Sequence, residues 1–190
     1  MNHLLIYAHP NPASINHTLK ETVVAALTQA GHSVVVRDLN TLNFNPVLSL
    51  QDLEGQRAGT VAPDVAAEQQ HIKWADCITF IYPIWWTGLP AILKGYVDRV
   101  FSYGFAYKYD KGVQMGLLKG KKAIIINTHG KTHQEYEALG MDKALRLTSD
   151  TGIYTYCGFE IINHLFFDGA DRATPEKLAQ WQQQIIQVLK

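Results

Sequence analysis

The sequence predicts an α/β fold, a doubly wound five-stranded parallel sheet with helices on both faces. Three observations predict it. Continuous apolar runs at residues 4–8, 34–36, 77–82 and 123–127 are too short for helices and read as strands covered on both sides. Between them lie longer stretches with apolar residues at helical spacing. The first two runs enclose one such stretch, and a strand, helix and strand joined this way pair in parallel by a right-handed crossover. For a chain of 190 residues the strand order 2-1-3-4-5 is the expected solution.

The elements follow in order. Leu4–Ala8 is stopped by the breaker-rich segment His9-Pro10-Asn11-Pro12-Ala13-Ser14. Leu19, Val23, Ala26, Leu27 and Ala30 then mark a helix closed by Gly31, and Val34–Val36 supplies the second strand. Residues 40–63 show no clear period and read as a long surface excursion with one short helix. Asp64 is the expected N-cap of a helix running to Trp74, followed by the strand Cys77–Tyr82, which Pro83 ends. Leu89, Ile92, Leu93, Tyr96, Val97, Val100 and Phe101 match an amphipathic helix, with Lys94, Asp98 and Arg99 on its other side. A Gly- and Tyr-rich loop over 103–116 leads to the strand Ala123–Asn127. A helix over 141–156 and a fifth strand over 159–165 are expected next. Thr174, Pro175 and Glu176 open a final helix with the stripe Leu178, Trp181, Ile185 and Leu189.

Composition narrows the function classes. With 47% hydrophobic and 18% charged residues, and 17 basic against 17 acidic side chains, the chain reads as one domain over 1–190 that binds neither nucleic acid nor a strongly charged partner. A small-molecule ligand is expected instead. Cys77 and Cys157 stand far apart, without a CxxC pair, and are expected as core thiols. No apolar run is long enough for a membrane span. The N-terminus has no basic region before its apolar run and no small-residue cleavage site after it, so a cytoplasmic protein is expected.

In an open parallel sheet, ligands bind outside the carboxyl ends of the strands near the switch point, here the loops after strands one, three and four. The first loop, with His9, Ser14 and Asn16, opens a helix whose free amides and positive dipole end suit a phosphate, although capping by Ser14 or Asn16 alone would also explain it. It is neither GxGxxG nor a GxxxxGKS loop. The second, Pro83-Ile84-Trp85-Trp86-Thr87-Gly88, carries two indoles on a turn, suited to a flat heteroaromatic ligand or to capping the core. The third, Asn127-Thr128-His129-Gly130, offers amides and a hydroxyl to a ring edge that gains negative charge on reduction, and Tyr136 is a candidate proton donor. His129 and His133 lack a third ligand on a common face, so no metal is expected. His3 and His164 read as surface or satisfied core residues. No GxSxG elbow and no Cys with a nearby His is present, so a cofactor is expected to perform the chemistry, and flavin fits all three loops.

Four stretches carry a family resemblance: Pro83 to Phe101 (PIWWTGLPAILKGYVDRVF), Gly104 to Gly112 (GFAYKYDKG), Tyr7 to Pro10 (YAHP) and Tyr156 to Phe159 (YCGF). On them, and over nearly its whole length, the chain resembles the flavodoxin-like NAD(P)H:quinone oxidoreductases, a family that includes bacterial stress and drug-modulator reductases and the mammalian quinone reductases. The resemblance implies a flavin, FAD or FMN. Its phosphate would lie at His9, Ser14, Ile15 and Asn16. Pro83, Ile84, Trp85, Trp86 and Thr87 would line the ring, with Asn127, Thr128, His129, Gly130 and Tyr136 at the pyrimidine edge. It further implies Tyr136 and Thr128 as catalytic residues and ping-pong exchange, with NAD(P)H reducing the flavin and a quinone reoxidising it. A homodimer is implied as well, in which Tyr107 and Tyr109 of one copy, with Trp86 of the other, meet the substrate.

The chain departs from that pattern in places. Relatives of the mammalian type carry a histidine shortly after the tyrosine as a proton relay, whereas Gly140-Met141-Asp142 stands here, which leaves the role to Tyr136 or to Asp142 with water. His129 and Lys131 occupy a stretch that is glycine-rich in relatives. Some relatives act as ancillary flavoprotein subunits of potassium-efflux systems, and that role is the alternative.

Overall fold

The computed structural model describes residues 1–189. Among them run seven strands: β1 (Asn2–Tyr7), β2 (Ser33–Asp38), β3 (Cys77–Pro83), β4 (Tyr107–Asp110), β5 (Val113–Gly116), β6 (Lys122–Thr128) and β7 (Glu160–Phe167). Five of these form a parallel sheet ordered β2-β1-β3-β6-β7, the expected order once the separate pair β4-β5 is set aside. The α-helices are α1 (Ile15–Gln29), α2 (Leu50–Ala58), α3 (Pro63–Trp74), α4 (Ala91–Val100), α5 (His133–Leu139), α6 (Met141–Arg146) and α7 (Pro175–Val188).

The alternation of side chains along β1, β3 and β6 feeds two cores, one on each face of the sheet. On one face Leu5, Ile81 and Ile126 meet Leu19, Val23 and Leu27 of α1 and Trp181 and Ile185 of α7. On the other, Leu4, Phe80 and Ile125 meet Ile72 of α3, Leu93, Tyr96 and Val100 of α4, and Tyr154. The excursion after β2 is pinned to this second face. Gly95 of α4 lies so close to Pro46 that an added Cβ would overlap the proline backbone. Arg99, itself buried, holds Asp52 at 3.1 Å and Asp64 at 2.5 Å and donates to the Asn45 carbonyl at 2.9 Å. Its guanidinium draws the Asp52 carboxyl down to about 2.

Several sequence expectations are corrected. The helix expected to be capped by Asp64 starts two residues earlier, with Ala62 as cap and Pro63 at its first position, because the fixed proline φ already suits a helix start. Asp64 is thereby free to bind Arg99. The loop expected over 103–116 contains the hairpin β4-β5, whose two-residue turn places Lys111 (φ 49°) and Gly112 (φ 82°) in the left-handed region, as tight hairpins require. The helix expected over 141–156 is present, as α6 continued by a π-helix from Leu147 to Thr155. Ahead of it sits α5, a helix outside the sequence expectation, closed into a capping box by Thr132 and Glu135. In β7 a bulge at Ile162 sets Ile161 opposite Ala123 and Asn163 opposite Ile124.

His164 is a satisfied core residue as expected, whereas His3 differs from expectation. His164 is held by Asp150 and Asn127, each at 2.7 Å. His3 is buried with no hydrogen-bond partner at either ring nitrogen. Its ring stands 4.9 Å from that of His32. Burial first, and the neighbouring His32 second, push its pKa down to about 4. The folded value lies below the unfolded one, so the stability tied to the neutral ring is complete above about pH 6.5 and is lost as the pH falls toward 4. That loss is expected to reach about 3 kcal/mol. Denaturant titrations at pH 7 and pH 4.5 should show His3→Phe losing less stability on acidification than the parent; an equal loss in both proteins would contradict this reading.

Candidate active site at the carboxyl rim of the sheet

The carboxyl ends of β1, β3 and β6 open onto a cleft of about 350 Å³ lined by His9, Asn11, Ser14, Ile15, Asn16, Pro83, Ile84, Trp85, Thr128, His129, Gly130, Ala170 and Asp171. A larger hollow of about 720 Å³ lies beside α2, but its buried charge, Arg99, is already committed to two aspartates. The rim cleft is the better candidate because it contains uncommitted polar groups.

The first wall is the loop after β1. Asn11 folds it into a turn, its side chain accepting from Ala13 N at 2.9 Å while its own amide donates to His9 Nδ1 at 3.1 Å. Ser14 caps α1 by accepting from the His17 amide at 3.2 Å, and its hydroxyl meets Tyr7 Oη at 3.3 Å. Ile15 and Asn16, the first helical residues, have no carbonyl inside the helix to receive their amides. Asn16 Nδ2 donates to Thr128 Oγ1 at 2.8 Å, joining this wall to β6, while its buried Oδ1 has no partner. The site therefore offers free amides, a helix dipole and an orphan oxygen at one place.

The second wall follows β3. The Ile84 amide donates to the Thr128 carbonyl at 2.8 Å, which carries the β3-β6 ladder past the strands. Trp85 and Gly88 exchange backbone hydrogen bonds at 3.1 and 3.0 Å, closing a two-residue turn. Its central residues, Trp86 (φ 50°) and Thr87 (φ 56°), are both left-handed without being glycine. For a β-branched residue this conformation is strained, by on the order of 1–3 kcal/mol. The turn leaves Trp86 fully exposed. Trp85 packs beside His9, ring centres 5.6 Å apart.

The third wall is the segment after β6. His129 is buried, stacks on Tyr136 with centroids 4.4 Å apart and planes 5° apart, and has no hydrogen-bond partner at either ring nitrogen. Burial lowers the pKa of both His9 and His129, which keeps the rings neutral, and raises that of Tyr136, which keeps its phenol protonated. Among the described lining residues Asp171 is the one acid and none is a lysine or arginine, so an anion here is received by amides and the helix dipole. Gly130 permits the Asp171 approach, since a Cβ would stand 2.5 Å from its Oδ2.

Of the residues singled out in the sequence, His9, Ser14, Ile15, Asn16, Pro83, Ile84, Trp85, Thr128, His129 and Gly130 are brought together in this cleft. Tyr136 adjoins it through His129 and its contact with Ile84. Trp86 and Thr87 stand at the tip of the second wall, outside the lining. The Asn127 side chain turns inward to Tyr82 and His164. Tyr107 and Tyr109 lie on the β4-β5 hairpin, away from the cleft, where Tyr109 Oη meets Tyr156 Oη at 2.9 Å. Asn11, Ala170 and Asp171 were missed. The Asn-Pro turn signal could have found Asn11, and the rule that ligands sit at strand ends, applied to β7, could have found the other two.

A parallel five-stranded sheet wound on both sides, with its cleft at the switch between β1 and β3, defines a flavodoxin-like α/β protein. Residues 1–189 match the family described as Flavodoxin-like fold, and the chain belongs to that family. It is 41% identical to an uncharacterized NAD(P)H oxidoreductase of Haemophilus influenzae over 95% of this chain and 93% of that one. The solved NAD(P)H:quinone oxidoreductase from Methanothermobacter marburgensis superposes with a TM-score of 0.88 at 26% identity, covering 100% of this chain and 97% of the other. An FMN-dependent NADH-azoreductase from Bacillus anthracis, solved with FMN, has a TM-score of 0.76 at 18% identity over 99% and 97% of the two chains, a likeness of fold alone. Among the described residues no helix is long and apolar enough to cross a membrane.

Proposed function

We propose that this chain is a flavin-dependent NAD(P)H:quinone oxidoreductase. The observation that carries the reading is the rim cleft itself: free α1 amides at one end, and at the other a strained turn that holds an indole in solvent. Strain of this kind persists where surrounding structure and function impose it. A wholly exposed indole is an apolar surface without a partner, and a flat aromatic ligand would cover it. The relatedness to NAD(P)H and quinone oxidoreductases supports the same reading.

The residues present fit a flavin. The Ile15 and Asn16 amides with the Ser14 hydroxyl would hold its phosphate, and the Pro83–Thr87 segment would line its ring, Trp85 and Trp86 included. Thr128, His129 and Gly130 would border the ring edge, and the Asn16–Thr128 hydrogen bond fixes the distance between the phosphate and ring ends. When bound, a flavin supplies reversible two-electron chemistry, accepting a hydride from a reduced nicotinamide and passing reducing equivalents to a quinone. Tyr136, neutral through burial, keeps a phenolic proton beside the cleft for an edge that gains negative charge. In this reading donor and acceptor use the same cleft and take turns, which is ping-pong exchange.

A second copy of the chain completes the site in this reading. Trp86 is left bare by its own chain, while Tyr103 and Tyr109 on and beside the β4-β5 hairpin are exposed and do not line their own cleft. The hairpin of one copy would cover the rim of the other. Sedimentation equilibrium should give twice 21.3 kDa, and a monomer at micromolar concentration would exclude a shared site.

Purified chain titrated with FMN and with FAD should quench flavin fluorescence stoichiometrically for at least one of them. Trp86→Ala should weaken that binding about tenfold, the loss of one aromatic contact surface. Unchanged affinity and turnover would make the indole irrelevant to the ligand. In stopped-flow reduction by NADH or NADPH, Tyr136→Phe should slow flavin bleaching about tenfold or more with little change in flavin affinity. An equal rate would remove the phenol from proton delivery.

A further inference from the structure

Beneath the cleft lies a polar cluster that the proposed chemistry does not use. The bulge at Ile162 changes which face of the sheet the end of β7 presents, so that His164 and Phe166 point toward the π-helix and stack, centroids 4.0 Å apart. His164 Nε2 lies 2.7 Å from Asn127 Oδ1, and Nδ1 lies 2.7 Å from Asp150 Oδ1. The carboxamide orientation is set from the far side, because Asn127 Nδ2 donates to the Tyr82 carbonyl at 3.2 Å. Its oxygen must then face His164, and Nε2 must carry a hydrogen.

We propose that His164 and Asp150 hold one shared proton, which makes His164 a donor at both ring nitrogens, and that this pair is the positioning element for the strand ends that carry the cleft loops. A neutral imidazole has one N–H. Spent on Asn127, it leaves the Nδ1 lone pair facing a carboxylate oxygen at 2.7 Å in a buried place, two acceptors in contact. Turned to Asp150, it leaves the Nε2 lone pair against the Asn127 oxygen. One further proton, held at Nδ1 and donated to Asp150 Oδ1, removes both conflicts.

The surroundings suit such a pair. Asp150 Oδ1 accepts from Ser149 Oγ at 2.9 Å, and its Oδ2 lies 3.7 Å from Arg146 Nη1. Arg146 also reaches the His164 carbonyl at 3.5 Å, and its guanidinium sits 4.8 Å over the Phe166 ring. The Tyr82 and Tyr154 hydroxyls, 3.4 Å apart, are kept neutral by burial. Burial, the larger cause, favours the neutral imidazole and the Asp150 hydrogen bond opposes it, so the ground for the second proton is the geometry, the two facing acceptors that a neutral ring would leave.

The consequence reaches the cleft through two adjacent residues. Tyr82 precedes Pro83 and Ile84, and Asn127 precedes Thr128, whose carbonyl receives the Ile84 amide at 2.8 Å. Loss of the shared proton sets two acceptors against each other, turns the Asn127 carboxamide and deprives the Tyr82 carbonyl of its donor. Both cleft walls then lose a common anchor.

The test uses the whole chain labelled with ¹⁵N, with His164→Gln to assign the ring signals. Near pH 7.5 both His164 ring nitrogens should show protonated character in long-range ¹H–¹⁵N spectra. As the pH rises a single proton should leave, and the Ile84 and Thr128 amide resonances should move with the same midpoint. Asp150→Asn should hold those amides at their high-pH positions throughout; if it does not fold, the parent titration decides alone. A single neutral tautomer near pH 7.5, or amides that stay still as the proton leaves, would overturn the proposal. Resting on the proposed flavin reading, FMN affinity should fall about tenfold through the same midpoint. Failure to take up flavin at any pH would overturn that reading, with the ring and amide signals still deciding this one.

Discussion

Parallel pairing of β1, β3 and β6 is the constraint on which the rest depends, because it brings three carboxyl ends to one rim in fixed register. The ladder does not stop where the strands do. The Ile84 amide and the Thr128 carbonyl continue it into the loops, and Asn16 on α1 ties into the same place through the Thr128 hydroxyl. A single threonine thus joins all three walls: its carbonyl to the second, its hydroxyl to the first, its chain to the third. The two ends of the cleft, at the α1 amides and at the turn after β3, are spaced by strand geometry.

Polar groups are distributed unevenly around this frame. Away from the rim some are satisfied, for Glu68, buried, receives Arg37 at 2.5 Å and the Tyr96 hydroxyl at 3.3 Å, and Gln69 donates to the Val100 carbonyl and the Ser102 hydroxyl, whereas the His3 nitrogens and the Thr79 hydroxyl have no partner. At the rim the Asn16 oxygen and both His129 nitrogens have none either. Buried polar atoms without partners are costly, and what sets the cleft apart is that three of them stand beside two left-handed non-glycine residues at one open rim.

Much of this was legible in the sequence for physical reasons. Strands buried on both faces must be apolar throughout, so Leu4–Ala8 and Ala123–Asn127 announced themselves, and the helix with Leu93, Tyr96 and Val100 carried its period openly. The rule that ligands gather at strand ends then placed ten site residues in the cleft. What escaped was set by long-range partners or by backbone detail. Asp64 has the composition of a cap, but Arg99, distant in sequence, claims it. The π-helix around Asp150 and the bulge at Ile162 leave no mark on hydrophobic periodicity, so neither the partners of His164 nor the inward turn of Asn127 could be read beforehand. The hairpin turn at Lys111-Gly112 was hidden because lysine seldom takes a left-handed position.

The two sulfurs of the chain acquire meaning from where they lie. Cys77 begins β3 and Cys157 follows the π-helix; both are buried, and burial raises their pKa to about 11 and about 12. Quinones are electrophiles that arylate thiolates by conjugate addition, and a protein that handles them turns over in contact with a reagent able to inactivate it. Held as protonated thiols beneath the surface, neither cysteine offers a nucleophile to such a molecule. The fold thus gives the chain chemical durability toward its own proposed acceptor.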